Sequence, residues 1–372
     1  MTRVSSGSSP RSRLLTAGSR HRSAIVLLAF VVLTAGCSGF IGGDDVDDSP
    51  PLDDIPAAAD GLIHVQSAVL TDSTTETLMD GLLEMDTPEA DDGFDSPESW
   101  ENLLEEVEDD ADVELENIHS TTVFMGGDEL HSGEPYTGVI LQTDLSWEEF
   151  EELADEEADA EVEEDTYSGV TVYIEEDEFS DVDTWVADFG DGTFAFGPEP
   201  VVKDVIDTRE GDADGIDDDL RERFEQTTDG YLRAAFVLTD EQADLAGDVA
   251  EEEAGIGQMF IPELEAVTMS YHTEGDRMNA EIDLVMQSSE EAGMFVALAE
   301  PILNPPTVDD DADPSEDPLG WTSNAVTIEE NDERVSLSFA AEPDELLDAL
   351  EALEEPVFDD EFASQPGAST AG

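Results

Sequence analysis

Beyond residue 37 the chain carries 98 acidic side chains against only seven cations: Lys203, Arg209, Arg221, Arg223, Arg233, Arg277 and Arg334. The difference is a formal charge of −91. Repulsion on that scale opposes every compact state at low ionic strength, so two kinds of chain are compatible with it. One never folds, because high charge with little apolar surface cannot build a core. The other keeps a folded, acidic surface in concentrated salt. Patterning favours the second: Val, Leu, Ile and the 16 Phe, 5 Tyr and 4 Trp recur at strand and helix spacings, with acids filling the positions between them. The same charge excludes nucleic acid as a partner, since no basic patch exists to displace counterions from phosphates. The partners implied are hydrated salt cations at the acidic surface and a protein or small-molecule ligand of unspecified kind; no cofactor is called for.

The N-terminus has the opposite character. Arg3, Arg11, Arg13, Arg20 and Arg22 precede the apolar run Ala24 to Leu33 without a single acid. That run is about half the ~20 residues a bilayer-spanning helix needs, which is the layout of an export signal. It ends in Thr34-Ala35-Gly36-Cys37, which contains the only cysteine. This segment resembles the lipobox of prokaryotic lipoproteins, with Thr34 where that family usually has Leu. The resemblance implies a diacylglyceryl group on Cys37, attachment to the membrane through that lipid, and display on the outer face of the cytoplasmic membrane. An uncleaved membrane helix and a cleaved signal with an incidental Cys37 remain as alternatives. The export route also stays open, because Ser12 splits Arg11 from Arg13 and His21 splits Arg20 from Arg22. The acid-rich, lysine-poor composition resembles that of extracellular proteins from extreme halophiles. With Cys37 lipidated, no thiol is left for a disulfide or a zinc site.

The expected organisation is a signal peptide at 1–36, an acidic flexible tether at 37–56, an α+β module at 57–239, a second at 240–355 that is either separate or continuous with the first, and a disordered tail at 356–372. The tether is expected because GFIGGDDVDDSPPLDDIP has little periodicity. Strands are expected over 61–70, 118–125, 136–143, 167–174, 184–189, 193–196, 264–272, 278–286, 325–330 and 334–340. Helices are expected after Asp72, after Ser96-Pro97, after the capping-box pairs Ser146/Glu149 and Ser288/Glu291, over 198–208, around Leu220 and Phe224, and around Leu346 to Leu353. Gly126-Gly127-Asp128 reads as a turn. The fold class is α+β, a mixed and mainly antiparallel sheet packed against helices, with a repeated ββα unit starting at Ile118, Leu264 and Ala325.

Between Tyr167 and Thr239 the order YSGVTVYI, WVADFGDGTFAFGPEPVVKDVIDTREG, a short helix and YLRAAFVLTD resembles an uncharacterised family of exported prokaryotic proteins classed as a domain of unknown function. The resemblance implies a mixed sheet with packed helices and no known activity.

No nucleophile elbow, phosphate-binding glycine loop or zincin helix occurs. His64, His119, His131 and His272 are scattered on or beside strands. Asp212, Asp214, Asp217 and Asp219 alternate near Gly211 and Gly215 as calcium ligands can, but Arg221 stands where a bidentate Glu belongs, and these aspartates also suit a helix N-terminus. The expectation is therefore a non-catalytic binding or scaffolding ectodomain. A histidine bonded to both a hydroxyl and a carboxylate in a cleft would favour a surface hydrolase, and an apolar groove between sheet and helices would favour a carrier of a hydrophobic ligand.

Overall fold

The computed structural model describes residues 49–85, 99–111, 114–129, 135–150, 162–175, 183–239, 264–303, 321 and 324–354. The expected signal, Cys37, the first part of the tether, Ser96, Pro97, His131, the loop 304–320 and the tail lie outside them. The fold is α+β, with a large antiparallel sheet component and helices packed on it. Two compact units divide the chain. The first takes the described residues up to Ala59, His64–Ala68 and Leu104–Ile216; the second takes Asp60–Ile63, Val69–Leu103 and the described residues from Asp217 on. Strand β1 (Gly61–Gln66) is thus shared between them.

In the first unit the strands are ordered β2 (Ile118–Glu129), β3 (Pro135–Thr143), β7 (Thr193–Pro198), β6 (Thr184–Asp188), β5 (Val170–Glu175) and β4 (Val162–Tyr167). Register pairs Leu141 with Phe194 and Val186 with Phe196 and Tyr173, so these five side chains share one face. There Phe150 meets Phe194 edge-on at 4.9 Å and Trp147 stacks on Tyr173 at 3.6 Å. The capping pair places them: the Ser146 backbone N–H and Oγ both reach Glu149 Oε2, at 2.7 and 2.6 Å, and these bonds hold the Glu149 carboxyl below its ordinary range. The opposite face sets the small residues Gly138, Ala187, Ala195 and Gly197 beside Phe124, Ile140 and Trp185. Helix α3 (Glu199–Glu210) lies against it and buries Val201, Val202, Val205 and Ile206 to within 1%. A Cβ on Gly138 would stand 2.7 Å from Val201 Cγ1 and 2.2 Å from Phe124 Cζ, so this approach depends on glycine.

In the second unit the order is β11 (Val326–Asn331), β12 (Arg334–Ala341), β10 (Arg277–Met286), β9 (Leu264–Glu274) and β8 (Leu232–Val237), with every pairing antiparallel. One face is apolar and is covered at two ends. Helix α5 (Ser289–Leu303) packs Ala292, Phe295 and Val296 on Met286, Leu284, Val335 and Ile328. Helix α1 (Ser73–Met85) runs against α6 (Pro343–Glu354), so closely that Leu347 would overlap any side chain at Gly81. Asp72 fixes the start of α1. Its Oδ1 accepts from the Thr75 backbone N–H at 2.9 Å, its Oδ2 accepts from Thr273 at 2.9 Å, and Thr75 Oγ1 pairs with the Tyr271 hydroxyl at 2.9 Å. The other sheet face is polar and receives the short helix α4 (Asp218–Glu225).

Several sequence expectations change. The stretch 167–174 is not one strand: Ser168 and Gly169 both have positive φ, 50° and 94°, and turn β4 into β5 as a two-residue hairpin. β2 continues through the expected turn to Glu129, pairing with Pro135 across a register shift. Strand β8 pairs with β9, so residues 217–239 go with the second unit rather than with the residues before them. The last part of the expected tether is packed: Leu52 and Ile55 are buried, and Ile55 O accepts from the Ile216 backbone N–H. Two apolar side chains among the acids suffice, because Ile55 has a hydrogen-bonded place beside the loop after α3.

Candidate functional site

Each of the seven cations beyond residue 37 is engaged inside the chain. Lys203 ion-pairs with Glu199 and lies 5.0 and 4.8 Å from the ring centres of Tyr167 and Trp185. Arg223 pairs with Asp219 at 3.3 Å, Arg277 donates to Ala340 O at 2.8 Å, and Arg221 also has a partner. Arg233 donates to Phe224 O and Thr227 Oγ1 with its guanidinium 4.5 Å from the Phe224 ring centre; burial pulls its pKa down against the pull of Asp229 and Glu225. Arg334 reaches Asp283 Oδ2 at 3.2 Å and also bonds Gln226. Asp283, which Ser336 joins from the same face, is the one buried acid among the described residues.

Arg209 donates to Asp54 at 2.8 Å and to Asp191 at 2.6 Å, and its guanidinium sits 4.4 Å from the Phe189 ring centre. Despite this partner, the Asp54 carboxyl lies above its ordinary value of 3.8. Burial is the largest cause, Asp191 and Asp53 add repulsion, and Arg209 offsets only part of the total. The folded state therefore holds a proton at Asp54 more tightly than the unfolded chain does. As pH falls from above the raised value toward 3.8, this group shifts the balance toward folding; as pH rises through that window the contribution is lost. Asp54→Asn is expected to raise the urea midpoint at neutral pH and to flatten the acid-side slope. A lower neutral midpoint than wild type would show that the Arg209 pair outweighs the burial cost.

The histidines do not gather. His64 is fully buried with Nδ1 2.9 Å from Thr122 Oγ1. His119 Nε2 lies 3.1 Å from Asp144 Oδ1, and His272 Nδ1 is buried without a hydrogen-bond partner. The four calcium candidates also separate into different roles. Asp212 and Asp214 are exposed, and it is the backbone of Asp214 that bonds, to Ala57 N–H at 3.2 Å. Asp217 is the N-cap of α4, accepting from Asp219 N–H at 2.9 Å, and Asp219 pairs with Arg223. Among the described residues no three His, Cys, Asp or Glu side chains are grouped to hold a metal ion, and no helix is long and apolar enough to cross a membrane.

The remaining surface feature is apolar. Of five large apolar side chains exposed among the described residues, four belong to the second unit: Met269, Ile282, Met294 and Leu298. Met269 and Ile282 are direct cross-strand partners, each 36% exposed, and Ile282 also faces Leu337, which faces Ile328. Met269 and Ile282 are the exposed pair of this cross-strand row, whose other end, Ile328, is packed under α5. Met294 and Leu298 lie one helical turn apart on α5. Covering one such half-exposed side chain is worth about 1–2 kcal/mol. The alternation of Val267, Met269 and Tyr271 against polar residues marks this face in the sequence, but gives no sign that its centre is open.

No family model matches the chain, and no curated protein matches it. Among solved structures it is similar to three crystal forms of TP0453. Form III aligns over 82% of this chain and 98% of that one, with 10% identity and a TM-score of 0.44. Form IV covers 82% and 96% with 10% identity and 0.43, and form I covers 83% and 98% with 12% identity and 0.41. Likeness at that level carries neither fold nor function across.

Proposed function

We propose that this chain is an exported lipoprotein, anchored through lipid on Cys37, whose acidic α+β ectodomain binds or scaffolds at the cell surface in concentrated salt. The observation that carries the reading is the use of its cations. With all seven engaged within the chain, no lysine or arginine beyond residue 37 is left over for an anionic partner, and the exposed acids favour hydrated cations. An apolar strip of a few side chains, rather than a cluster of titratable groups, is then the feature left for recognition. The successions β9, β10, α5 and β11, β12, α6 support an origin by duplication of a ββα unit, with the stretch from Ile118 as a third copy.

Anchoring is tested at Cys37. Two acyl chains, at about 0.8 kcal/mol per buried CH₂, hold a protein on a membrane where one chain does not. Cys37→Ser is expected to abolish incorporation of labelled lipid precursor and to release the protein from the membrane fraction. Continued labelling of the Ser variant would overturn the lipoprotein reading.

A further inference from the structure

We infer that the strap Leu52–Pro56 is a proton-controlled clasp: closed while Asp54 carries a proton and loosened once Asp54 is ionised, it sets how much chain lies between Cys37 and the fold. Its attachment is small and local. Ile55 is fully buried, the Ile216 backbone N–H donates to Ile55 O at 2.9 Å, and the Ala57 N–H donates to Asp214 O at 3.2 Å. Its β-pairing is an isolated bridge between Pro56 and Gly215, so the strap can leave without breaking a sheet ladder.

One cation serves three acids there. Arg209 Nη1 donates to Asp54 at 2.8 Å while Nη2 donates to Asp191 at 2.6 Å, and Asp53 adds its charge from the strap itself. The Phe189 ring, its centre 4.4 Å from the guanidinium, holds that fork in place. The loop 211–216 meets the strap through its backbone, with the Asp212 and Asp214 side chains exposed. The two acids on the guanidinium differ in exposure: the Asp54 side chain is 16% exposed and that of Asp191 55%, so a proton that relieves the excess charge settles on Asp54. The arginine is not lost by it, because the protonated carboxyl keeps a carbonyl oxygen for the Nη1 donor.

Burial raises the Asp54 pKa against the pull of Arg209, and Asp191 and Asp53 raise it further. In the released strap the group returns to its ordinary value. The closed strap therefore binds the proton more tightly: its share of closure is fully present below 3.8 and is lost as pH rises through the raised value. Concentrated salt leaves this response intact. At about 1 M the Debye length is roughly 3 Å, which screens exposed acids from one another, but a partly buried cluster is screened much less.

The consequence for reach rests on the anchored reading. The five residues 52–56, once released, add up to about 17 Å of chain at ~3.5 Å each between Cys37 and the fold. The first unit can then stand farther from the bilayer at neutral pH than in mild acid.

The test is amide hydrogen exchange of the purified full chain in several molar KCl from mildly acid to neutral pH, each rate divided by that of an unstructured amide at the same pH. Protection of the Ile216 amide, which donates into the strap, should fall as pH rises, and the Thr143 amide, which donates to Gly192 O in the same unit, should not follow it. Asp54→Asn should hold Ile216 protection at the wild-type acid level throughout the range. Asp191→Asn, which removes one competing acid and frees Arg209 for Asp54, should reduce the fall, and it decides alone should the Asp54 variant not fold. Ile216 protection that is flat in the wild type, that rises with pH, or that moves in step with Thr143 overturns the clasp. The second result means that the ion pair outweighs the burial, and the third that the whole unit opens. Cys37→Ser should leave these rates unchanged whatever becomes of lipid labelling, so the clasp and the anchoring proposal fail separately.

Discussion

Dialysis from several molar to millimolar salt at neutral pH is expected to unfold this protein completely and cooperatively. The acids are held near one another on a compact surface, and the seven cations that could neutralise some of them are already committed inside the chain. At about 1 M salt each charge is screened within roughly 3 Å, but at 0.01 M the Debye length is roughly 30 Å, comparable to a whole domain. Repulsion then sums over all the acids. A penalty of only about 0.1 kcal/mol for each of 98 acids is about 10 kcal/mol, comparable to the roughly 5–15 kcal/mol that separates folded from unfolded states in an ordinary domain. Tryptophan emission reports the change well, since Trp100, Trp185 and Trp321 are buried and Trp147 is stacked on Tyr173. A red shift together with loss of circular dichroism, reversed on restoring salt, is the expected result. A native spectrum at millimolar salt would refute the halophilic reading, and a disordered spectrum at every salt concentration would refute the folded one.

Gly192→Ala should be among the most damaging single-methyl substitutions in the first unit. Gly192 has φ +80°, and a Cβ there would stand 2.1 Å from the carbonyl oxygen of Thr143, whose own N–H donates to Gly192 O at 2.8 Å. The backbones of the β6–β7 turn and the end of β3 are therefore in direct contact, and neither is a flexible side-chain tip that could swing aside. The added methyl meets left-handed strain and a backbone clash together, for a loss of about 3 kcal/mol or more. Gly190, two residues earlier, supplies the control. Its φ is +76° but nothing lies within 4 Å of its would-be Cβ, so Gly190→Ala should cost only about 1 kcal/mol. Urea midpoints at fixed high salt compare the two variants. Equal losses would show that left-handed strain alone accounts for both.

That pair of glycines shows how far the sequence reaches. Gly190-Asp191-Gly192 between two apolar runs reads as a tight turn, and the structure has one; which glycine cannot be replaced depends on Thr143, some fifty residues away. The same division runs through the candidate site. Alternation along β9 and β10 marks Met269 and Ile282 as belonging to one face, because successive strand residues point to opposite sides whatever the strand pairs with. That their neighbourhood stays open follows only from where α1, α5 and α6 come to rest. The aspartates at 212, 214, 217 and 219 have calcium-like spacing in sequence, yet Asp217 is used as a helix cap and Asp219 as the partner of Arg223.

What the sequence alone determines is local or additive. Capping pairs such as Ser146/Glu149 and Ser288/Glu291 act over three residues, strand faces follow a period of two, and net charge is a sum indifferent to order. What only the tertiary structure decides is non-local: the burial of Ile55 beside Ile216, the partners of each arginine, the pairing of β8 with β9, and the uncovered centre of an apolar sheet face. Those outcomes depend on the packing of groups separated by tens to hundreds of residues, and no short-range pattern in the chain encodes which of the many possible partners a side chain will meet.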